Sequence, residues 1–206
     1  MILHDYFRSS AGYRVRIALN LKGVAYERRE VLLLERQQNA PEHLARNPQG
    51  LVPALEVEGR VLTQSLAIID WLDARFPEPK LLALDTDARA ATLARALVIA
   101  ADVHPVNNLR VMRWLAHELE VPEEKRTLWS QHWIGEGLGA LERLAGEGPF
   151  LGGDAPDLSD VCLVPQLFNA RRVGAPLEGY PKLLRAEAAC AELPAFQAAH
   201  PDRVAP

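Results

Sequence analysis

The sequence predicts two units in one chain, a first that alternates strands and helices and a second built only of helices. Three observations predict this. Strand-like and helix-like pieces alternate from Ile2 to Phe76; Pro77, Pro79 and a leucine-rich run to Leu84 then break the pattern. From Asp87 onward helical spacing of apolar residues dominates and no strand signal returns. The boundaries so read are residues 1–80 and residues 87–206, joined by a linker at Pro77–Thr86.

Taken in order, Ile2–Phe7 reads as a strand and Tyr13–Leu21 as a helix burying Val15, Ala18 and Leu19. Lys22-Gly23 supplies its C-terminal stop. Tyr26–Leu34 reads as a second strand with an exposed or edge portion at Glu27–Glu30, and Pro41–Arg46 as a short helix with proline at its start. Asn47-Pro48-Gln49-Gly50 is turn chemistry. Leu51–Val57 is a third strand whose Pro53 belongs at its beginning or on an edge, because proline has no N–H for a ladder. Glu58-Gly59-Arg60 turns the chain into Val61-Leu62-Thr63, and Gln64-Ser65 opens a helix carrying Leu66, Ile69, Leu72 and Phe76 at helical spacing.

Composition narrows the function classes. The formal net charge of −4 gives no electrostatic case for nucleic acid or an anionic membrane. No apolar run is long enough to span a bilayer and no signal peptide precedes the first strand, so a reducing cytoplasm is the expected compartment. Cys162 and Cys190 lie far apart without metal-type spacing; Cys162 falls in an apolar run and reads as a buried thiol. Histidines are scattered without ligand spacing, and no metal site is expected.

Four places carry residue types beyond what folding requires. Ser9-Ser10, beside Arg8, sits in a strand-to-helix turn, where unpaired N–H groups and the positive end of a helix dipole favour a thiolate or another anion; the same serines also suit plain helix capping. Val52, held extended before Pro53, can offer its backbone to a peptide ligand or simply start a strand. Gln64-Ser65 at a helix start suits a carboxylate, or again only a cap. The fourth is His104-Pro105-Val106-Asn107-Asn108-Leu109-Arg110, where proline should bend a helix. There Asn107 and Arg110, and His104 and Asn108, should share faces that are either solvated or one wall of a cleft. Asp157-Leu158-Ser159-Asp160 reads as a structural capping box before a buried helix, and Arg171-Arg172 marks that helix's charged end.

Ser9-Ser10-Ala11-Gly12-Tyr13-Arg14-Val15-Arg16-Ile17-Ala18-Leu19 is similar to the motif S-S-C-x-W-R-V-R-I-A-L of zeta-class glutathione transferases. Asn47-Pro48 with Val52-Pro53, Gln64-Ser65, and Asp157–Gln166 resemble further elements of that superfamily, so the resemblance spans almost the whole chain. The motif's cysteine is Ala11 here and its tryptophan is Tyr13, while both hydroxyls remain.

The resemblance implies a thioredoxin-like α/β N-terminal domain plus an all-α C-terminal domain, a cis Pro53 and a homodimer. It implies a glutathione-dependent cis–trans isomerase of maleyl dicarboxylates, with a general transferase acting on small electrophiles such as alpha-halo acids as the alternative. A binding module without turnover is the rival from another class. Ser9, with Ser10 as second choice, and Arg8 are the implied catalytic residues. Ser9, Ser10, Ala11, Gln38, Val52, Pro53, Gln64, Ser65, His104, Asn107 and Asn108 are the implied glutathione contacts. Arg8, Arg110 and Arg172 are the implied clamps for substrate anions.

Overall fold

A computed structural model describes all residues, Met1–Pro206. The chain forms two compact units, Met1–Lys80 with Ala191–Pro206, and Leu81–Cys190. The sequence boundaries grouped 87–206; the last residues instead return to the first unit, where Phe196 and Ala199 are buried and Arg16 and Arg28 donate to the Ala199 and Val204 carbonyls.

In the first unit β1 (Ile2–Asp5), β2 (Glu27–Glu30), β3 (Ala54–Val57) and β4 (Arg60–Thr63) make one sheet in the order β2-β1-β3-β4. β1 and β2 are parallel, which demands a crossover, and α1 (Ser10–Leu21) supplies it. β3 runs antiparallel to β1, with His4 opposite Ala54, and β4 antiparallel to β3, with Ala54 opposite Thr63. These directions bring the C-terminal ends of β1, β2 and β4 and the start of β3 to one end of the sheet. The turn between β3 and β4 has both Glu58 (φ 50°) and Gly59 (φ 75°) left-handed, the pair that matches strand twist in a two-residue hairpin.

α1 buries every residue from Gly12 to Leu19, Arg14 and Arg16 included, and packs on α3 (Ser65–Arg75). It ends at Lys22 with Gly23 left-handed, and the Val24 N–H returns to the Leu19 carbonyl at 3.0 Å. Gly12 is dictated by β1: a Cβ there would stand 1.6 Å from Asp5 Oδ1. α3 buries Ile68, Ile69 and Leu72, and α2 (Pro41–Arg46) begins on its proline as expected.

Three strands are shorter than the sequence suggests, β1 ending at Asp5 rather than Phe7 where the Tyr6–Ser9 turn begins. β2 stops at Glu30 rather than Leu34, because Arg36 is left-handed (φ 59°) and the Leu32 N–H donates to Gln37 Oε1, so 3₁₀ turns replace the strand. β3 starts at Ala54 rather than Leu51: Val52–Pro53 is cis, and the Leu51 carbonyl accepts from His43 Nε2 and Asn47 Nδ2 instead of a strand.

The second unit is helical throughout: α4 (Thr86–Leu97), a π-helical stretch (Val98–Val103), α5 (His104–Val106), α6 (Leu109–His117), α7 (Glu123–Leu144), α8 (Leu158–Arg172) and α9 (Pro181–Ala191). α8 is buried over nearly its whole circumference, Cys162 included, so it is the unit's core. Its start is the expected capping box: Asp157 Oδ1 accepts the Ser159 N–H, and Asp160 reaches back to the Asp157 N–H. The other Asp160 oxygen accepts the Leu151 N–H at 2.8 Å, and burial pushes this carboxyl up to about 7. Thr92 and Arg95 of α4 both reach Asp157 Oδ2, tying α4 to the start of α8.

Gly137 of α7 has no side chain where a Cβ would meet Val103 Cγ2 at 2.0 Å, so the π-helical stretch lies close against α7. No helix is long and apolar enough to cross a membrane.

Candidate active site

The end of the sheet where β1 stops and β3 starts carries most of the residues singled out above. The chain leaves β1 through a turn in which the Ser9 N–H donates to the Tyr6 carbonyl at 2.8 Å. Ser9 is the N-cap of α1, extended at φ −68°, ψ 118°, and its Oγ accepts the Gly12 N–H at 3.1 Å. Capping and chemistry are therefore not alternatives at this residue. An oxygen that accepts from a helix N–H keeps its own proton to donate, and polarisation along such a chain strengthens that donation. Ser10 and Ala11 occupy the first helical positions, where N–H groups lack partners inside the helix and the dipole is positive. Of the two serines only Ser9 occupies the cap position, while Ser10 is the first residue of the helix.

The start of α3 forms a second anion-accepting corner. Gln64, just before the helix, is left-handed at φ 65°, ψ 116°, a conformation that costs on the order of 1–3 kcal/mol for a residue with a side chain. Its Nε2 donates to Gln49 Oε1 at 2.6 Å. Ser65 is buried and its Oγ accepts from the buried Arg14 guanidinium at 3.4 Å. A cation directly behind a helix N-terminus adds to the attraction for a carboxylate. Val52 lies just outside the β3 ladder, and Pro53 is buried beside it. Gln38 follows β2 at the same end, is 9% exposed, and its Oε1 has no partner within the protein.

Ser9, Ser10, Ala11, Gln38, Val52, Pro53, Gln64 and Ser65 thus share one end of one sheet. Arg8 precedes Ser9, is exposed, and lies with its guanidinium carbon 4.9 Å from the Phe7 ring centre. Sequence reasoning missed Gln49 and Arg14. Arg14 carried a legible signal, a charge inside an otherwise buried helix; the Gln49 partnership carried none.

The remaining candidates belong to the second unit, where the geometry corrects the sequence. Pro105 does not bend a continuous helix. The helix widens before it, with the His104 N–H bonding five residues back to Ile99, and then stops at Asn107. Asn108 is the N-cap of a new helix, its Oδ1 accepting the Arg110 N–H at 3.0 Å. The faces predicted for His104 with Asn108 and for Asn107 with Arg110 therefore do not exist, since each pair straddles a break. Asn107 Nδ2 donates to the Val103 carbonyl at 3.0 Å, which leaves its Oδ1 unpartnered. Arg110 and Arg172 are both exposed, and Arg171 is committed to Glu187 through two 2.5 Å bonds.

Known proteins agree with this architecture. The family model for the glutathione S-transferase N-terminal domain matches residues 3–80, and that for the glutathione S-transferase C-terminal domain matches residues 134–186. A maleylacetoacetate isomerase of Rhizobium meliloti (strain 1021) is 48% identical, covering 100% of this chain and 98% of its own. A solved holo structure of maleyl pyruvate isomerase, described as a bacterial glutathione-S-transferase in Zeta class, superposes with a TM-score of 0.97 at 41% identity, covering 100% of this chain and 99% of the other. The maleylacetoacetate isomerase of Anaeromyxobacter dehalogenans 2CP-1, with bound GSH in its active site, gives 0.89 at 48% identity over 99% of this chain and 96% of that one. Fold and site define a glutathione S-transferase, and the chain belongs to that family. Its similarity to these isomerases places it in the zeta class.

The residues present fit glutathione. A thiol would find the Ser9 hydroxyl and the first amides of α1 as donors, and a carboxylate the α3 start backed by Arg14. The orphaned Gln38 Oε1 is an acceptor waiting for an N–H donor.

Proposed function

We propose that this protein is a glutathione-dependent cis–trans isomerase converting maleylacetoacetate to fumarylacetoacetate, or maleylpyruvate to fumarylpyruvate, and that it works as a cytoplasmic homodimer. The observation that carries the reading is the Ser9 hydroxyl, which accepts the Gly12 amide at the positive end of α1 and keeps a proton to donate. Glutathione, when bound, would supply a thiolate nucleophile for reversible addition to the cis C=C beside a carbonyl, the chemistry by which that bond becomes free to rotate.

Everything else falls to this chain's residues. Ser9 donates to the sulfur and holds it ionised. A free thiol ionises at about pH 8.5, and a fall of roughly two units corresponds to about 2.7 kcal/mol. One charged hydrogen bond contributes about 1.5–3 kcal/mol, so a hydroxyl and helix-end amides are enough. Ser10 and Ala11 lend their amides to the same sulfur. Gln64 and Ser65 receive the γ-glutamyl carboxylate, the backbone of Val52 before Pro53 pairs with the cysteinyl unit, and Gln38 takes the peptide's far end. His104, Asn107 and Asn108 orient the bound tripeptide. Arg8, Arg110 and Arg172 bind the substrate's carboxylates and the negative charge that builds on its carbonyl oxygen, a task for which the guanidinium fork is suited.

The names of the relatives above support isomerisation over conjugation or dehalogenation. The test is direct: purified protein freed of thiols should isomerise a maleyl substrate only when catalytic glutathione is added, with the tripeptide recovered unchanged. Full turnover without any thiol ends the reading. Arg172→Ala should raise KM for the dicarboxylate about tenfold while leaving the affinity for glutathione unaltered, as expected for loss of one charge-assisted contact. An unchanged KM would show that this arginine serves another surface.

A further inference from the structure

The backbone N–H and C=O of Phe7, immediately before Arg8-Ser9, are each held by a charged pair. On one side, buried Arg16 pairs with Asp5 Oδ2 and donates through its second terminal nitrogen to the Phe7 carbonyl at 3.0 Å. On the other, Glu30 accepts the Phe7 N–H on Oε1 at 3.1 Å while its Oε2 pairs with Arg28. Each arginine has one further bond, and both go to the returning C-terminal segment. Arg16 Nε donates to the Ala199 carbonyl at 3.1 Å, and Arg28 donates to the Val204 carbonyl. The segment is also fixed by Asn20, which donates to the Ala195 carbonyl, and by the edge of Tyr13 against His200.

We infer that the C-terminal segment Ala191–Pro206 is the positioning device of the catalytic turn, acting through Arg16–Asp5 and Arg28–Glu30 on the backbone N–H and C=O of Phe7. A turn of four residues has few internal bonds, and here the only backbone one is Ser9 N–H to Tyr6 O. Fixing the N–H and C=O of its second residue pins the two peptide planes that flank the Phe7 Cα, and so the φ and ψ between them. The direction in which Ser9 presents its hydroxyl is thereby set. A planar fork is needed, since each arginine must reach a carboxylate and a carbonyl at once, which a lysine cannot do with the same geometry. Arg16, Arg28 and Glu30 are positioning residues and do not touch the thiol. The catalytic consequence rests on the assignment of Ser9; the mechanical claim does not.

Arg16 and Asp5 are wholly buried, so their removal threatens folding itself; Arg28 and Glu30, each about 20% exposed, are the usable pair. In Arg28→Met, amide exchange at Phe7 and Ser9 should quicken by about tenfold or more, while the β3–β4 hairpin keeps its protection. In the glutathione complex, the thiolate absorbance in the ultraviolet should titrate about one pH unit higher. kcat near pH 7 should fall about threefold and recover at high pH, because only the ionised fraction has changed. Glu30→Gln, whose amide oxygen still accepts the Phe7 N–H, should lie closer to the parent than Glu30→Ala.

Unchanged exchange at Phe7 and Ser9 in Arg28→Met overturns the proposal, whatever Ser9 does. Faster exchange with an unmoved thiol titration, in a protein whose Ser9→Ala variant does move it, overturns the link from turn to chemistry. If Ser9→Ala fails to move the titration either, it is the reading of Ser9 that falls, while the clamp stands on the exchange data.

Discussion

Ser9→Ala is expected to lower kcat at pH 7 by about 3- to 25-fold, the thiolate lost when one charged hydrogen bond of about 1.5–3 kcal/mol is removed from a sulfur ionising about two units below 8.5. The loss has a diagnostic shape. Without the hydroxyl the bound thiol ionises one to two units higher, by that same measure, so the acid limb of the pH–rate profile moves up and the deficit shrinks as pH rises. A second loss accompanies it, because Ser9 Oγ caps the Gly12 amide; removing an N-cap costs about 1 kcal/mol of stability. Ser9→Thr keeps both the hydroxyl and the cap and should retain most activity. A pH profile that falls uniformly in Ser9→Ala would mean that the residue shapes the fold and not the sulfur.

Arg16→Met is expected to cost about 3–5 kcal/mol near pH 8, the range for leaving a buried charge without its partner. Asp5 is the reason. Burial pushes its carboxyl up to about 6, with Arg16 pulling the other way, and one of its oxygens has no partner at all. The sign follows from linkage. The folded value lies above that of an unfolded aspartate, about 3.9, so the native state holds a proton that the unfolded state releases, and Asp5's contribution to stability falls as pH rises from about 4 to 6. Removing Arg16 extends that window upward. Urea unfolding should therefore show a smaller deficit at pH 5, where the carboxyl is neutral in both proteins, than at pH 8. An equal deficit at both values would assign the loss to packing and hydrogen bonds alone.

These two residues also show which parts of the molecule could be read from the chain. Features set by neighbours in sequence were legible: the serine at the strand-to-helix turn, the proline that starts α2, the Gly23 stop of α1, and the Asp157–Asp160 box all appear where local chemistry puts them. The two-unit order was legible too, because a linker rich in proline separates two different periodicities. What escaped depends on groups far apart in sequence. Gln64 adopts a left-handed conformation without being glycine or asparagine, and only its Gln49 partner and the α3 start reveal why. Arg36 ends β2 in the same silent way. The break between Asn107 and Asn108 looked like one bent helix because both sides have helical spacing; Asn108 caps the second helix because the first has already stopped at Asn107. The return of residues 191–206 to the first unit combines buried Phe196 and Ala199 with main-chain carbonyls held by Arg16 and Arg28, and helical spacing does not tell which unit such a segment joins.

The central claim is that the turn before α1 keeps the sulfur of bound glutathione charged near neutral pH. Ultraviolet titration of the thiolate in the wild-type complex tests this most directly. The account predicts ionisation about two units below the ordinary thiol value of about 8.5, with that displacement reduced in Ser9→Ala. A bound thiol that titrates like free glutathione, in a protein that still isomerises its substrate, would contradict it.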